Sequence, residues 1–84
     1  MANISAEIEQ VRSELAKVQD RAKFFGSEYK KYSTEKSDLA QPYKIMTRFA
    51  LERARALKRH IKALQDFQKR IDELDLKLAK LTGK

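Results

Sequence analysis

Between positions 44 and 62 the chain carries Lys44, Arg48, Arg53, Arg55, Lys58, Arg59 and Lys62 against a single acid, Glu52. Arg48, Arg55 and Lys62 recur every seven residues, and Lys69 continues the series. On an α-helix a seven-residue step returns nearly to the same azimuth and advances about 10.5 Å, so these four cations form one line, with Lys44, Lys58 and Arg59 beside it. The chemistry available to such a line is recognition of anions. A phosphate backbone or an acidic protein surface would bind it in a salt-sensitive way with little sequence preference. The plainer use of the same pattern is the solvated outer face of a coiled coil, but outer faces normally mix both signs and this one does not.

Six of the seven aromatic residues fall within 26 positions: Phe24, Phe25, Tyr29, Tyr32, Tyr43 and Phe49. Lys30, Lys31, Lys44 and Arg48 are interleaved with them. Ring faces beside cations suit single-stranded nucleic acid or a nucleotide, and the same rings also suit a core at one end of a helical hairpin. Phe25, Tyr29, Tyr32 and Phe49 are expected in that core, with tyrosine hydroxyls at the wet rim. The aromatic end as a candidate site comprises Phe24, Tyr29, Tyr32 and Tyr43, with Phe24, Tyr43 and the lysines making up its binding surface.

His60 and Arg53 stand seven apart at the edge of the apolar pattern, where a coiled coil would place apolar residues. Glu14, Asp20 or a second chain are their expected partners. A lone histidine without convergent cysteine or carboxylate spacing is no metal motif. No Gly-rich phosphate loop, nucleophile elbow or histidine-carboxylate motif is present, so the expectation is a non-catalytic protein with no cofactor, metal or small-molecule substrate.

The elements that position these residues follow from composition and periodicity. Eighty-four residues with 37% charged side chains, two Gly, one Pro and no Cys match a long-helix composition, with neither a disulfide framework nor a thiolate metal site. A single domain of this size has a thin core, and self-association commonly supplies the missing burial. The net charge of +7 is unevenly placed: residues 1–42 hold seven basic and seven acidic side chains, and residues 43–84 hold twelve and five. The second half therefore carries the whole imbalance, which points to an anionic partner.

Ile4, Ile8, Val11, Leu15, Val18, Ala22, Phe25, Tyr29 and Tyr32 follow one another at alternating steps of four and three, an unbroken heptad seam. A strict seven-residue repeat implies supercoiling against a partner helix. Helix 1 is thus expected over about 4–32, capped at Asn3 or Ser5 and continuous through Gly26, where a kink or a second start is the alternative. The run 33–41 holds the capping residue types and leads into Pro42, the only proline. It reads as the turn, with helix 2 starting between 38 and 42, by an Asp38–Gln41 capping box or with Pro42 at the first helical position just after Gln41. Helix 2 then runs to about 81, with no Gly or Pro over the 39 residues from Tyr43 to Leu81.

The apolar stripe of helix 2 divides into two. Leu57, Leu64 and Ile71 combine upstream with Ala50, Ala54 and Ile61, and downstream with Phe67, Leu74, Leu78 and Leu81; the two stripes are centred about 50° apart at 100° per residue. Antiparallel pairing places Tyr32 near Tyr43, Val18 near Leu57 and Ile4 near Ile71, leaving about 12 residues, roughly 18 Å, without an intrachain partner. Leu74, Leu78 and Leu81 in that overhang are the expected oligomer interface.

The sequence thus predicts an all-α, coiled-coil-like antiparallel two-helix hairpin assembling into a dimeric four-helix bundle or higher oligomer. Its partners are expected to be itself and an acidic protein or nucleic acid, with Lys44, Arg48, Arg55, Lys58, Arg59, Lys62 and Lys69 as the anion-binding set. Association of helix 2 with a membrane surface ranks lower, because its apolar face suits another helix better than lipid. The acid-bearing start and the absence of a run of roughly 18 apolar residues lead to an expected cytoplasmic location without a membrane span.

Overall fold

A computed structural model describes residues 3–83. Two helices account for almost all of them: α1 (Ser5–Thr34) and α2 (Ala40–Thr82), packed against each other, with no strand among the described residues. The chain measures 72 × 14 × 12 Å. Its length is that of α2, whose 43 residues at 1.5 Å each span about 65 Å.

The helices are antiparallel. Tyr32 stacks on Tyr43 next to the turn, with ring centroids 5.4 Å apart. In the middle Val18 packs with Ala54 and Leu57, flanked by Val11, Leu15 and Ala50. At the far end the Ile4 N–H donates to Gln68 Oε1 at 2.8 Å. The pattern places Ile4 beside Ile71; its hydrogen bond goes to a residue three positions earlier, close to one helical turn.

All nine residues of the α1 seam are buried or half-buried, with Ile8, Val18 and Ala22 the most enclosed. Their partners on α2 follow the same alternation of threes and fours, with Ala54, Leu57 and Ile61 buried. Leu57, 3% exposed, is the most enclosed of these core side chains, and none falls below 2%. The core is therefore a single layer of side chains zipped between two helices. Phe49 departs from expectation: it is 63% exposed and lies outside this layer, because one residue step from Ala50 rotates it about 100° away from α1.

Helix α1 passes through Gly26 without a break. A Cβ at Gly26 would meet Thr47 Cγ2 at 3.9 Å, an ordinary contact, so packing does not demand glycine there. The first turn is capped from outside, by Asn3 Oδ1 accepting from the Ser5 N–H at 2.9 Å and from the Ser5 hydroxyl at 2.6 Å. The helix ends in a Schellman arrangement: Ser37 N–H donates to the Tyr32 carbonyl at 2.9 Å, and Lys36 N–H to the Ser33 carbonyl at 3.1 Å. Lys36 occupies the left-handed position with φ 55°, where glycine is the usual residue.

The Asp38–Gln41 capping box does not form as the cap of α2. Leu39 is the N-cap and offers no side-chain cap, while Ser37 Oγ accepts from the Leu39 N–H at 3.2 Å. Ser37 is closer to the turn and serves both helices, which leaves Asp38 outside the cap. Pro42 is the third residue of α2, inside the first turn where a missing N–H costs nothing. Past Gln68, α2 continues for 14 residues beyond the start of α1, an overhang of about 21 Å. Among the described residues no helix is long and apolar enough to cross a membrane.

Candidate interaction surfaces

The register of the hairpin decides what each face of α2 shows. With Ala54, Leu57 and Ile61 turned to α1, Lys44, Arg48, Arg55, Lys58, Arg59, Lys62 and Lys69 are all exposed. None of the seven pairs with a carboxylate among the described residues, where the ion pairs are Arg12–Glu9 at 2.9 Å and Arg53–Glu14 at 3.3 Å. The ridge thus presents its charge to solvent rather than using it to hold the hairpin.

A shallow groove of about 430 Å³ runs beside the ridge, lined by Tyr29, Lys44, Arg48, Leu51 and Arg55 among others. Leu51, 46% exposed, sits between Arg48 and Arg55 and was not expected to matter from sequence. The available signal was its spacing, three residues after Arg48 and four before Arg55, which puts an apolar side chain on the cationic face.

At the turn end the rings are turned largely to one another. Phe25 lies 6.3 Å from Tyr43, Tyr43 is stacked on Tyr32 with planes 13° apart, and Lys31 Nζ stands 5.5 Å from the centroid of the Tyr32 ring. Tyr29, Tyr32 and Tyr43 are half-buried, and Phe24, edge-on to Phe25 at 5.8 Å, is 56% exposed. The rings open to solvent at this end are Phe24 and Phe49.

Arg53 Nη2 donates to Glu14 Oε2 at 3.3 Å, so of the two seam-edge residues Arg53 bridges the helices while His60 is exposed. No group of three or more His, Cys, Asp or Glu able to hold a metal occurs among the described residues. In the overhang Leu74, Leu78 and Leu81 are 57%, 49% and 81% exposed, and Phe67 just before it is 55% exposed. Asp75 stands among them with one carboxylate oxygen, Oδ1, enclosed and without a hydrogen-bond partner among the described residues. On the same side of the molecule, nearer the turn, an apolar groove of about 270 Å³ lies between the helices, bordered by Phe25, Met46 and Phe49 and edged by Arg21 and Arg53.

No protein-family model, curated protein or solved structure matches the chain.

Proposed function

We propose that this chain is a non-catalytic interaction protein, a small self-associating helical adaptor, assembly factor or inhibitor. It docks an acidic partner on the outer face of α2 and associates with itself through the leucines of the overhang. The observation that carries the reading is the ridge: seven exposed cations on one face, none paired with a carboxylate among the described residues. A stretch kept only for solubility would gain from interspersed acids.

Leu51 favours an acidic protein over a nucleic acid. An apolar side chain between two arginines suits the apolar face of an acidic amphipathic helix, whereas a phosphate backbone gains nothing from it. Nucleic-acid binding by Arg48, Arg55, Lys58, Arg59, Lys62 and Lys69 is the competing reading, supported by the regular rise of the ridge.

The test is capture of partners from the source cell by the wild-type chain and by an Arg55→Glu, Lys62→Glu variant, followed by a salt titration of the captured complex. Loss of a protein partner in the variant, with nuclease treatment without effect, supports the reading. Nuclease-sensitive capture, with log affinity falling linearly in log salt, would move the assignment to nucleic acid. Identical capture by both chains would remove the ridge from the function.

A further inference from the structure

Beside the face of α2 that packs on α1, a second strip runs along the helix from Met46 to Leu81. Phe49 near its start and Phe67, Leu74, Leu78 and Leu81 toward its end are all about half or more exposed. Together they present on the order of 500 Å² per chain, toward the upper end of the largest patch usual on a monomer, and two copies covering each other would remove on the order of 1,000 Å², the lower bound for a specific interface.

The spacing of this strip identifies what covers it. From Met46 its members alternate at steps of three and four as far as His60, and from Leu64 they alternate again as far as Leu81. Next to the single break in the alternation, a point between Ala63 and Leu64 maps ten of the eleven strip positions onto one another; the eleventh, Leu64, maps onto Ala63. An antiparallel second α2 centred on that point sets those ten strip residues against each other and Leu64 against the partner's Ala63. Phe49 meets the partner's Leu78, Ala56 meets the partner's Ile71, and His60 meets the partner's Phe67.

We infer that two chains pair antiparallel along α2 about a twofold axis between Ala63 and Leu64, so that the overhang of each lies in the groove of the other. The inference rests on the self-association proposed above and gives it a surface and a register. In this register the partner's Leu74 and Leu78 fall at the level of Arg53 and Phe49, where the groove bordered by Phe25, Met46 and Phe49 opens. The overhang leucines have no cover among the described residues of their own chain, and this groove is an apolar recess on the same face.

Charge agrees with the same placement. The overhang carries Lys69, Arg70, Lys77 and Lys80 beside Asp72, Glu73 and Asp75; of these acids Asp75 falls on the side that meets the groove, which is edged by Arg21 and Arg53. Glu52 comes beside the partner's Lys77. A parallel pair would instead set Arg53 against the partner's Arg53 on the strip itself, placing like charges where water is being excluded. Crossing of the overhangs alone would leave Phe49 and the groove bare.

The chain has no cysteine, so single substitutions report the register directly. Ala63 and Leu74 are both exposed and tolerate replacement without loss of the core. In the full-length chain Ala63→Cys lies next to the axis, within the roughly 7 Å between Cα atoms that a disulfide spans, and oxidises to a covalent dimer. A short bis-maleimide scores the same pair independently of disulfide geometry. Leu74→Cys stays unlinked, because the two copies stand about 30 Å apart along the axis. Asp75→Lys weakens self-association several-fold, and Arg21→Glu in the same chain restores it. Cross-linking of Leu74→Cys, with or without Ala63→Cys, or a self-associated Ala63→Cys chain that neither reagent links, overturns the register and leaves self-association standing. A chain that sediments as a monomer overturns both.

Discussion

Leu57→Ala is the sharpest probe of the intrachain seam. Leu57 is 3% exposed at the centre of the enclosed layer, against Val18 and Ala54. Removing three buried carbons from such a site costs about 2–5 kcal/mol, depending on how far the surroundings close over the gap. Two helices with open flanks close readily, which places the cost at the lower end, about 2–3 kcal/mol. For a domain of this size that lowers the melting temperature by roughly 10–20 °C. The assay is thermal and urea unfolding followed by far-UV circular dichroism, at one low protein concentration for all variants so that self-association contributes equally. Leu76→Ala is the control: it removes the same atoms from the same helix at a site 59% exposed and off the seam, and it changes stability by less than about 0.5 kcal/mol. A loss below about 1 kcal/mol for Leu57→Ala, or equal losses for the two variants, would refute the seam as the source of stability.

Lys36→Gly relieves a side chain held at φ 55° and raises stability by about 0.5–1 kcal/mol, read from the shift in urea midpoint. Arg53→Ala removes an ion pair whose side chains are both more than half exposed; it lowers stability by less than about 0.5 kcal/mol, and added salt does not widen the difference. Truncation after Ile71 deletes the leucines of the overhang and abolishes self-association in sedimentation, while Arg48, Arg55, Lys62 and Lys69 keep their places on a helix that still reports by circular dichroism. Arg55→Glu with Lys62→Glu leaves the unfolding midpoint within about 0.5 kcal/mol of wild type, since neither cation is paired with a carboxylate among the described residues.

What was legible in the sequence was the part governed by helical periodicity. All nine seam residues from Ile4 to Tyr32, at steps of four and three, are buried or half-buried, because a two-helix core admits a single stripe and leaves a period-seven pattern little freedom. The continuity of α1 through Gly26 followed for the same reason, since the stripe continues through Tyr29 and Tyr32 at a cost to helix propensity of only about 1 kcal/mol. Phe49 was misplaced because it belongs to an aromatic cluster in sequence, and azimuth, not composition, decides which side it faces. The turn hid its chemistry in another way. A lysine in the left-handed position carries none of the glycine signal that normally marks a Schellman motif, and Ser37 took the role that Asp38 and Gln41 resembled on paper.

The surfaces were legible as residue types, and less so as geometry. The ridge cations could be placed on one line from their spacing, but the exposed Leu51 between them emerged only when α1 fixed which side of α2 faces water. Of the strip from Met46 to Leu81, the downstream part (Leu64, Phe67, Ile71, Leu74, Leu78 and Leu81) was legible as a stripe, whereas Met46 and Ala56 were assigned to none. The strip's symmetry about Ala63 and Leu64 becomes apparent once the α1-facing residues are subtracted, because several positions, Leu64 and Ile71 among them, border both faces.

The most direct test of the two-faced α2 is sedimentation equilibrium of the untagged full-length chain across the micromolar range at moderate salt. A chain of 9.8 kDa whose second face is covered by a copy of itself gives a species of twice that mass, dissociating only on dilution or on truncation after Ile71. A single species of 9.8 kDa throughout would contradict the account, leaving the overhang leucines and Phe49 uncovered by this chain.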